Sequence, residues 1–202
     1  SANVSPLENL NIGLKYEFRT KLELTTKVFE GKDGGIFING EKTVADMPAM
    51  FAAGVEYKPI DKFMVTGSFN YYFDKNNDYD GSTTENIIMI DKNMTEYAIG
   101  FELGLTDWLR FSAGYSLTST GVNSEYQKDQ RYSLTSGTLG GGIGLRFTPM
   151  IDLNIGVLYT DYKEGDKSFT HMLGTNPVAV KETYNKSNTV LGIGLDLYFG
   201  RK

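Results

Sequence analysis

The sequence predicts an all-β fold, an antiparallel up-and-down transmembrane β-barrel with about eight strands. Three observations carry this. Large apolar residues alternate with small or polar ones in segment after segment, as Leu109, Phe111, Ala113, Tyr115 and Leu117 do against Arg110, Ser112, Gly114, Ser116 and Thr118, which is the period of two of a strand with unlike faces. Short turn phrases and long polar stretches follow one another in strict succession. Aromatic residues collect at the ends of the alternating segments and aliphatic ones in their middles.

The elements can be justified in chain order from the turns. Pro6, Pro59, Thr106 and Pro149 each stand in a similar phrase: Pro6-Leu7-Glu8-Asn9, Pro59-Ile60-Asp61-Lys62, Thr106-Asp107-Trp108-Leu109 and Pro149-Met150-Ile151-Asp152. Proline presets φ and an Asp or Asn side chain can bond back to the turn, so each phrase reads as a tight turn entering a strand. Between them lie long polar stretches at 31–47, 74–94, 118–136 and 163–188. The repeat is therefore strand, long loop, strand, short turn. It places strands at 10–28, 49–57, 63–73, 95–105, 109–119, 137–147, 151–162 and 189–199. The first segment is nearly twice the length of the others and carries Arg19-Thr20 in its middle; it reads either as one long strand rising beyond the membrane or as a hairpin. The chain is expected to form a single β-barrel domain over 1–202.

The direction of the apolar face follows from volume. The alternating segments place Leu10, Ile12, Leu14, Tyr16, Phe51, Val55, Tyr57, Phe63, Val65, Phe69, Ile99, Phe101, Phe111, Leu139, Ile143, Ile155, Ile193 and Leu195, among others, on one face. The inside of an eight-stranded barrel is only just wide enough for its own side chains or one small ligand, so that face must point outward. The opposite face carries glycines such as Gly100, Gly114, Gly142 and Gly156 together with Lys15, Glu17, Arg19, Glu102, Arg110, Arg146, Asp152 and Asp196. Those eight charged residues are read as a polar network lining the lumen, where opposite charges pair because a lone buried charge is costly. Rings sort to the two rims: Tyr16, Phe18, Phe51, Tyr71, Phe73, Tyr97, Tyr115 and Tyr159 at the long-loop end, Tyr57, Phe63, Trp108, Phe147 and Phe199 at the short-turn end, with Phe69 and Phe101 as exceptions. Lipid-facing aromatic girdles produce such sorting and a soluble core does not. The mean hydropathy of −0.30 fits, since only half of the strand residues of such a barrel meet lipid. Two alternatives are a small intact eight-stranded structural or adhesive barrel, closed by pairing the strand at Leu10 with that at Leu191, and a soluble barrel binding a hydrophobic ligand, which would stay monomeric without detergent.

The segments Met47-Pro48-Ala49-Met50-Phe51-Ala52-Ala53-Gly54-Val55-Glu56-Tyr57-Lys58-Pro59, Glu96-Tyr97-Ala98-Ile99-Gly100-Phe101-Glu102-Leu103-Gly104-Leu105-Thr106-Asp107, Phe111-Ser112-Ala113-Gly114-Tyr115-Ser116 and Gly192-Ile193-Gly194-Leu195-Asp196-Leu197-Tyr198-Phe199, in their order and spacing, resemble the C-terminal part of the FadL/TodX type of outer-membrane transporter for long-chain fatty acids and other hydrophobic compounds. The resemblance implies a bacterial outer-membrane location, contact with membrane lipid and a fatty-acid-like hydrophobic small molecule as ligand of the longer parent. It also implies that this chain is the C-terminal portion of a fourteen-stranded barrel whose plug and lateral opening lie elsewhere. The closing run to Phe199 looks like the signal by which the barrel-assembly machinery, a further expected partner, receives outer-membrane strands.

Composition narrows the function classes. The net charge is −5, which argues against a nucleic-acid-binding face. The chain has no cysteine and a single histidine, His171, in a polar stretch, so neither a Ser-His-Asp arrangement nor a two-histidine or thiolate metal site can be assembled within it. No enzyme activity, cofactor or metal is expected. Asn76-Asn77-Asp78-Tyr79-Asp80-Gly81 resembles the start of a calcium loop, but its twelfth position is Ile87 instead of the bidentate Glu. Gly140-Gly141-Gly142 lies within a strand and lacks the Lys-Ser/Thr tail of a phosphate loop. One apolar run interrupts a polar loop, Ile87, Ile88, Met89 and Ile90, with lesser cases at Ile36 to Ile38 and at Phe169, Met172 and Leu173. It reads either as a ligand-capturing patch at the outer rim or as a loop folded on itself.

Overall fold

A strand whose side chains alternate in character needs two unlike environments, and a neighbour on each edge to satisfy its ladder groups. The structure, a computed structural model, meets both needs with one long antiparallel meander; it describes residues 1–29, 38–75, 77, 89–128 and 132–199. The chain runs β1 (Ala2–Leu7), β2 (Leu10–Glu17), β3 (Glu23–Thr25), β4 (Lys42–Val44), β5 (Met50–Ile60), β6 (Phe63–Tyr72), β7 (Met94–Gly104), β8 (Leu109–Ser119), β9 (Ser136–Thr148), β10 (Ile151–Tyr162), β11 (Gly165–Leu173), β12 (Asn176–Tyr184) and β13 (Ser187–Leu197), with a single 3-10 turn at Ser124–Tyr126. Nine of these form one sheet in the order β1-β2-β5-β6-β7-β8-β9-β10-β13, and β3-β4 and β11-β12 are separate two-stranded hairpins.

Seven of the eight expected wall strands lie within three residues of their predicted bounds. The first one is shorter, because β2 ends at Glu17 and the chain then turns into the β3–β4 hairpin. A ninth wall strand, β1, arrives at the turn before Asn9 and pairs Ala2 with Leu14 and Val4 with Ile12. With it the wall holds nine strands against the expected number of about eight. It also removes the closure expected for a small intact barrel, since the edge of β2 that would have met the strand at Leu191 is occupied by β1. Among the described residues no ladder joins β1 to β13. The stretch 163–188, expected as a loop, contains the β11–β12 hairpin in unbroken register from Gly165↔Tyr184 to Leu173↔Asn176.

The short turns hold as expected, with different side chains. Thr106 Oγ1 accepts the Leu109 N–H at 3.1 Å and Thr148 Oγ1 accepts the Met150 N–H at 3.2 Å, so threonine hydroxyls do the work assigned to Asp and Asn. Lys62 ties two adjacent turns together through Asp107 at 2.9 Å. Hydrogen bonding to that ammonium, aided by its charge, holds the Asp107 carboxyl below the usual carboxylate range.

The sheet has no apolar core. Among the described residues the buried large apolar and aromatic side chains are Ile90, Leu134 and Tyr184, and none of them belongs to the nine-stranded sheet. The chain exposes 14343 Å², against about 9,500 Å² for a water-soluble monomer of its mass. Large side chains of the apolar face share in this exposure: Ile99 is 62% exposed, Leu139 62% and Ile193 79%. At the long-loop rim the rings of that face touch in series, Phe18 on Tyr16 (5.0 Å), Tyr16 on Phe73 (6.3 Å), Phe73 on Tyr71 (4.8 Å), Tyr71 on Phe69 (6.4 Å) and Phe69 on Tyr97 (5.0 Å). Phe69, expected as an exception to the sorting, is a member of this girdle.

Candidate functional site

The face opposite the girdle is the candidate site. A groove of about 750 Å³ is lined jointly by β6, β7, β8, β9, β10 and β13, which is possible only because the sheet curls toward that face. Register makes its floor legible. Across the strands Gly100 pairs with Gly114 and Gly114 with Gly140, while one step nearer the short turns Ser112 pairs with Gly142, Gly142 with Gly156 and Gly156 with Gly192. Bare glycines therefore sit side by side in two adjoining rows, leaving backbone where side chains would otherwise fill a narrow interior. A Cβ on Gly142 would meet the Ile155 carbonyl oxygen at 3.0 Å, so the strands there pack more closely than a larger residue allows.

The short-turn end of the groove is charged. Arg146 Nε and Nη2 donate to Asp152 Oδ1 and Oδ2 at 3.0 and 3.2 Å, a bidentate pair. Arg110 Nη2 lies 3.6 Å from Asp152 Oδ2 and its Nη1 lies 3.8 Å from Glu102 Oε1. Arg110 also donates to Asn154 Oδ1 at 3.4 Å, and Asn154 Nδ2 donates to Asp196 Oδ2 at 2.8 Å. Asp152 is 1% exposed, a burial that a carboxylate tolerates only when paired in this way. Gly144 makes room: a Cβ there would lie 3.0 Å from the Arg110 guanidinium, and Gly144 stands directly between Arg110 and Asn154 in the ladder.

Five of the eight residues read as a lumen network, Glu102, Arg110, Arg146, Asp152 and Asp196, are thus brought together. Lys15 and Glu17 are not among them; they pair with each other on β2 at 2.6 Å. Arg19 leaves the wall altogether. Its guanidinium holds Asp46 in the first loop, with Nε to Oδ2 at 2.8 Å, and the Leu22 N–H reaches Oδ1 at 3.1 Å. Burial raises the Asp46 carboxyl, but Arg19, the Leu22 N–H and the charge of Lys21 more than offset it, so its pKa lies below the ordinary value. Asn154, the link between Arg110 and Asp196, was missed because it is neutral. Glu96 shares the parity of Glu102 on β7 and so the same face; it accepts from Tyr72 OH at 2.9 Å, Asn70 Nδ2 at 3.2 Å and Thr118 Oγ1 at 3.4 Å.

The long loops pack on one another above the groove. Ile90, 2% exposed, forms a bridge with Val122, while the Asp91 N–H reaches the Gly121 carbonyl at 2.8 Å and the Asn123 N–H reaches that of Met89 at 3.0 Å. Ile90 therefore packs within the loops, and the Met89 backbone is engaged beside it. Ile87, Ile88 and, apart from Asn77, the calcium-like stretch 76–87 lie outside the described residues, as do residues 36 and 37. Gln127 clamps Ser133 by two bonds, Nε2 to the carbonyl at 2.9 Å and the Ser133 N–H to Oε1 at 3.0 Å. Lys167 of β11 donates to the Gln127 carbonyl at 3.1 Å and Tyr132 lies against Tyr184 at 5.4 Å, which seats the β11–β12 hairpin on this assembly. At its far end Met172 and Leu173 are 55% and 63% exposed. Among the described residues no three His, Asp or Glu side chains are placed to hold a metal ion.

Compared with solved structures, the fold has counterparts. It is similar to a FadL homologue from Pseudomonas aeruginosa, at 17% identity over 96% of this chain and 50% of that one, with a TM-score of 0.64. It is also similar to the TodX monoaromatic hydrocarbon channel in a deltaS2 mutant, at 14% identity over 98% of this chain and 48% of that one (TM-score 0.56), and to the CymD monoaromatic hydrocarbon channel, at 13% identity over 97% and 49% (TM-score 0.52). No known family profile and no curated protein matches the sequence. The chain spans about half the length of the solved structures it matches. Its fold is that of the FadL-type transmembrane barrels.

Proposed function

We propose that this chain is the C-terminal portion of an outer-membrane channel for hydrophobic compounds, forming a wall along which a fatty acid or another apolar molecule passes. The observation that carries the reading is the division of one sheet into two surfaces: a lipid-suited apolar face with an aromatic girdle, and a concave face floored by glycine and hydroxyl residues with nothing packed against it among the described residues. A soluble binder would have its apolar side chains inside. Membrane lipid is the partner of the outer face. The barrel-assembly machinery is the partner of the closing strand, where Leu195 and Leu197 are 60% and 53% exposed and Phe199 beyond it is 90% exposed. The network of Glu102, Arg110, Arg146, Asp152 and Asp196 fixes the wall at the short-turn end and keeps it hydrated. At the rim, Ile90 serves the packing of the long loops.

The test is uptake of a labelled fatty acid and of labelled toluene by cells with and without the full-length protein, together with fractionation. Loss of uptake of either compound on deletion, and restoration by the intact gene, is the expected result. Uptake of both unchanged on deletion, or recovery of the protein from the soluble fraction, overturns the reading.

A further inference from the structure

The concave face is not uniformly polar. In the row that contains Gly100, Gly114 and Gly140, the next two residues toward the sheet edge are Leu158 and Val190, paired Gly140↔Leu158 and Leu158↔Val190. Both face inward, because they share parity with Asp152 and Asn154 on β10 and with Asp196 on β13. Leu158 is 47% exposed and Val190 55%. A methyl group built on Gly140 would lie 2.6 Å from Leu158 Cδ2, so the leucine side chain lies down across the glycine. Large exposed apolar groups on an otherwise small or polar surface are the informative exception to ordinary burial.

We infer that Leu158 and Val190, beside the glycine floor at Gly140 and Gly114, form an internal resting site for an uncharged hydrocarbon one ring or one chain thick, with Leu158 setting its fit. This rests on the proposed passage of hydrophobic compounds along the concave face. Thickness follows from the floor, where the absence of side chains lets a flat or slender molecule lie against backbone while Leu158 covers one side. Lack of charge follows from the lining. Among the described residues that line the groove itself, as distinct from the network at its short-turn end, the charged side chains are Glu102 and Arg110, and they face each other at 3.8 Å, with Arg110 further engaged by Asp152 and Asn154. A ligand carboxylate would displace these partners, whereas a hydrocarbon needs none of them.

The 202 residues contain no cysteine, so single thiols can report the site in membranes carrying the full-length protein, with the unsubstituted protein as blank. Leu158→Cys and Val190→Cys are labelled with a charged, water-soluble maleimide in the presence of toluene, of decanoate, or of neither. Ser68→Cys and Asp196→Cys report other levels of the lumen, and Ile155→Cys reports the lipid face. Without ligand, both site thiols should react while Ile155→Cys does not. Saturating toluene should slow the two site thiols by about fivefold or more, leave Asp196→Cys unchanged, and protect better than decanoate. Equal rates at both site thiols with and without toluene overturn the site. If Ser68→Cys is then still protected, the passage itself stands; protection at no lumen position overturns both. Decanoate protecting as well as toluene overturns the uncharged class. Site thiols as inert as Ile155→Cys overturn the inward placement.

Discussion

Removing the Asp152 carboxylate should have a larger effect than removing any other single charge on the concave face. It is buried to 1% exposure and receives the bidentate Arg146 pair at 3.0 and 3.2 Å, with Arg110 at 3.6 Å. Breaking a fully buried pair costs about 3–5 kcal/mol because the remaining charge is stranded. Here the arginine side chains are 43% and 38% exposed and regain water, so Asp152→Ala should cost about 2–4 kcal/mol. Arg146→Ala should cost less, about 1–2 kcal/mol, since Arg110 still faces the carboxylate. The assay is reversible urea unfolding of the full-length protein refolded into lipid vesicles, followed by the gel mobility difference between folded and unfolded barrels. A double-substitution cycle between positions 152 and 146 isolates the coupling. A loss below about 0.5 kcal/mol for Asp152→Ala, within the scatter of ordinary surface substitutions, would refute the claim that this network fixes the short-turn end.

Three further outcomes follow from the same geometry. Ile99→Arg, in the middle of the lipid face, should destabilise by about 2–4 kcal/mol and Leu117→Arg, near the rim, by about 0–1 kcal/mol, measured by the same unfolding assay; equal costs at the two depths would contradict the placement of the bilayer. Gly121→Ala should undo the docking of the loops, because a Cβ there would stand 1.5 Å from the Lys92 carbonyl oxygen; limited proteolysis should then cut near Ile90 faster while the wall strands stay protected. In the β11–β12 hairpin, the hydrogen bond from Lys181 at 2.8 Å and that from Thr183 at 2.9 Å lower the Asp166 carboxyl, and the same Asp166 pairing raises Lys181. Asp166 thus contributes above the unfolded carboxylate pKa and the contribution fades as pH falls below about 4, while that of Lys181 is present below about pH 10 and fades above it; hairpin protease resistance should be flat between these limits, and a maximum inside the window would count against the pair.

Much of the wall was legible in the sequence because a strand between lipid and a narrow lumen must alternate strictly, as 109–119 does. The unread elements lack that constraint. In β11–β12 both faces are largely exposed, so Phe169, His171 and Leu173 on one face and Thr170 and Met172 on the other leave no contrast to read. β1 is only six residues long, contains Pro6 and is exposed throughout, and β2 ends early because Arg19 is drawn to Asp46, a partner 27 residues away. For the candidate site, alternation placed Glu102, Arg110, Arg146, Asp152 and Asp196 on one face, but which charges meet depends on register, and the neutral Asn154 carried no signal. Leu158 and Val190 escaped notice for a related reason: each sits next to outward residues of its own kind, Val157 and Leu191, and only the pairing shows that it faces the other way.

The central claim is that the apolar face meets lipid and the glycine and charged face meets water. Nitroxide labels placed one at a time from Phe111 to Leu117 on β8, in the membrane-inserted full-length protein, test it directly through collision with oxygen and with a water-soluble nickel chelate. Labels at 111, 113, 115 and 117 should favour oxygen and those at 112, 114 and 116 the chelate, in strict alternation. The opposite phase, or no alternation along the strand, would contradict the account.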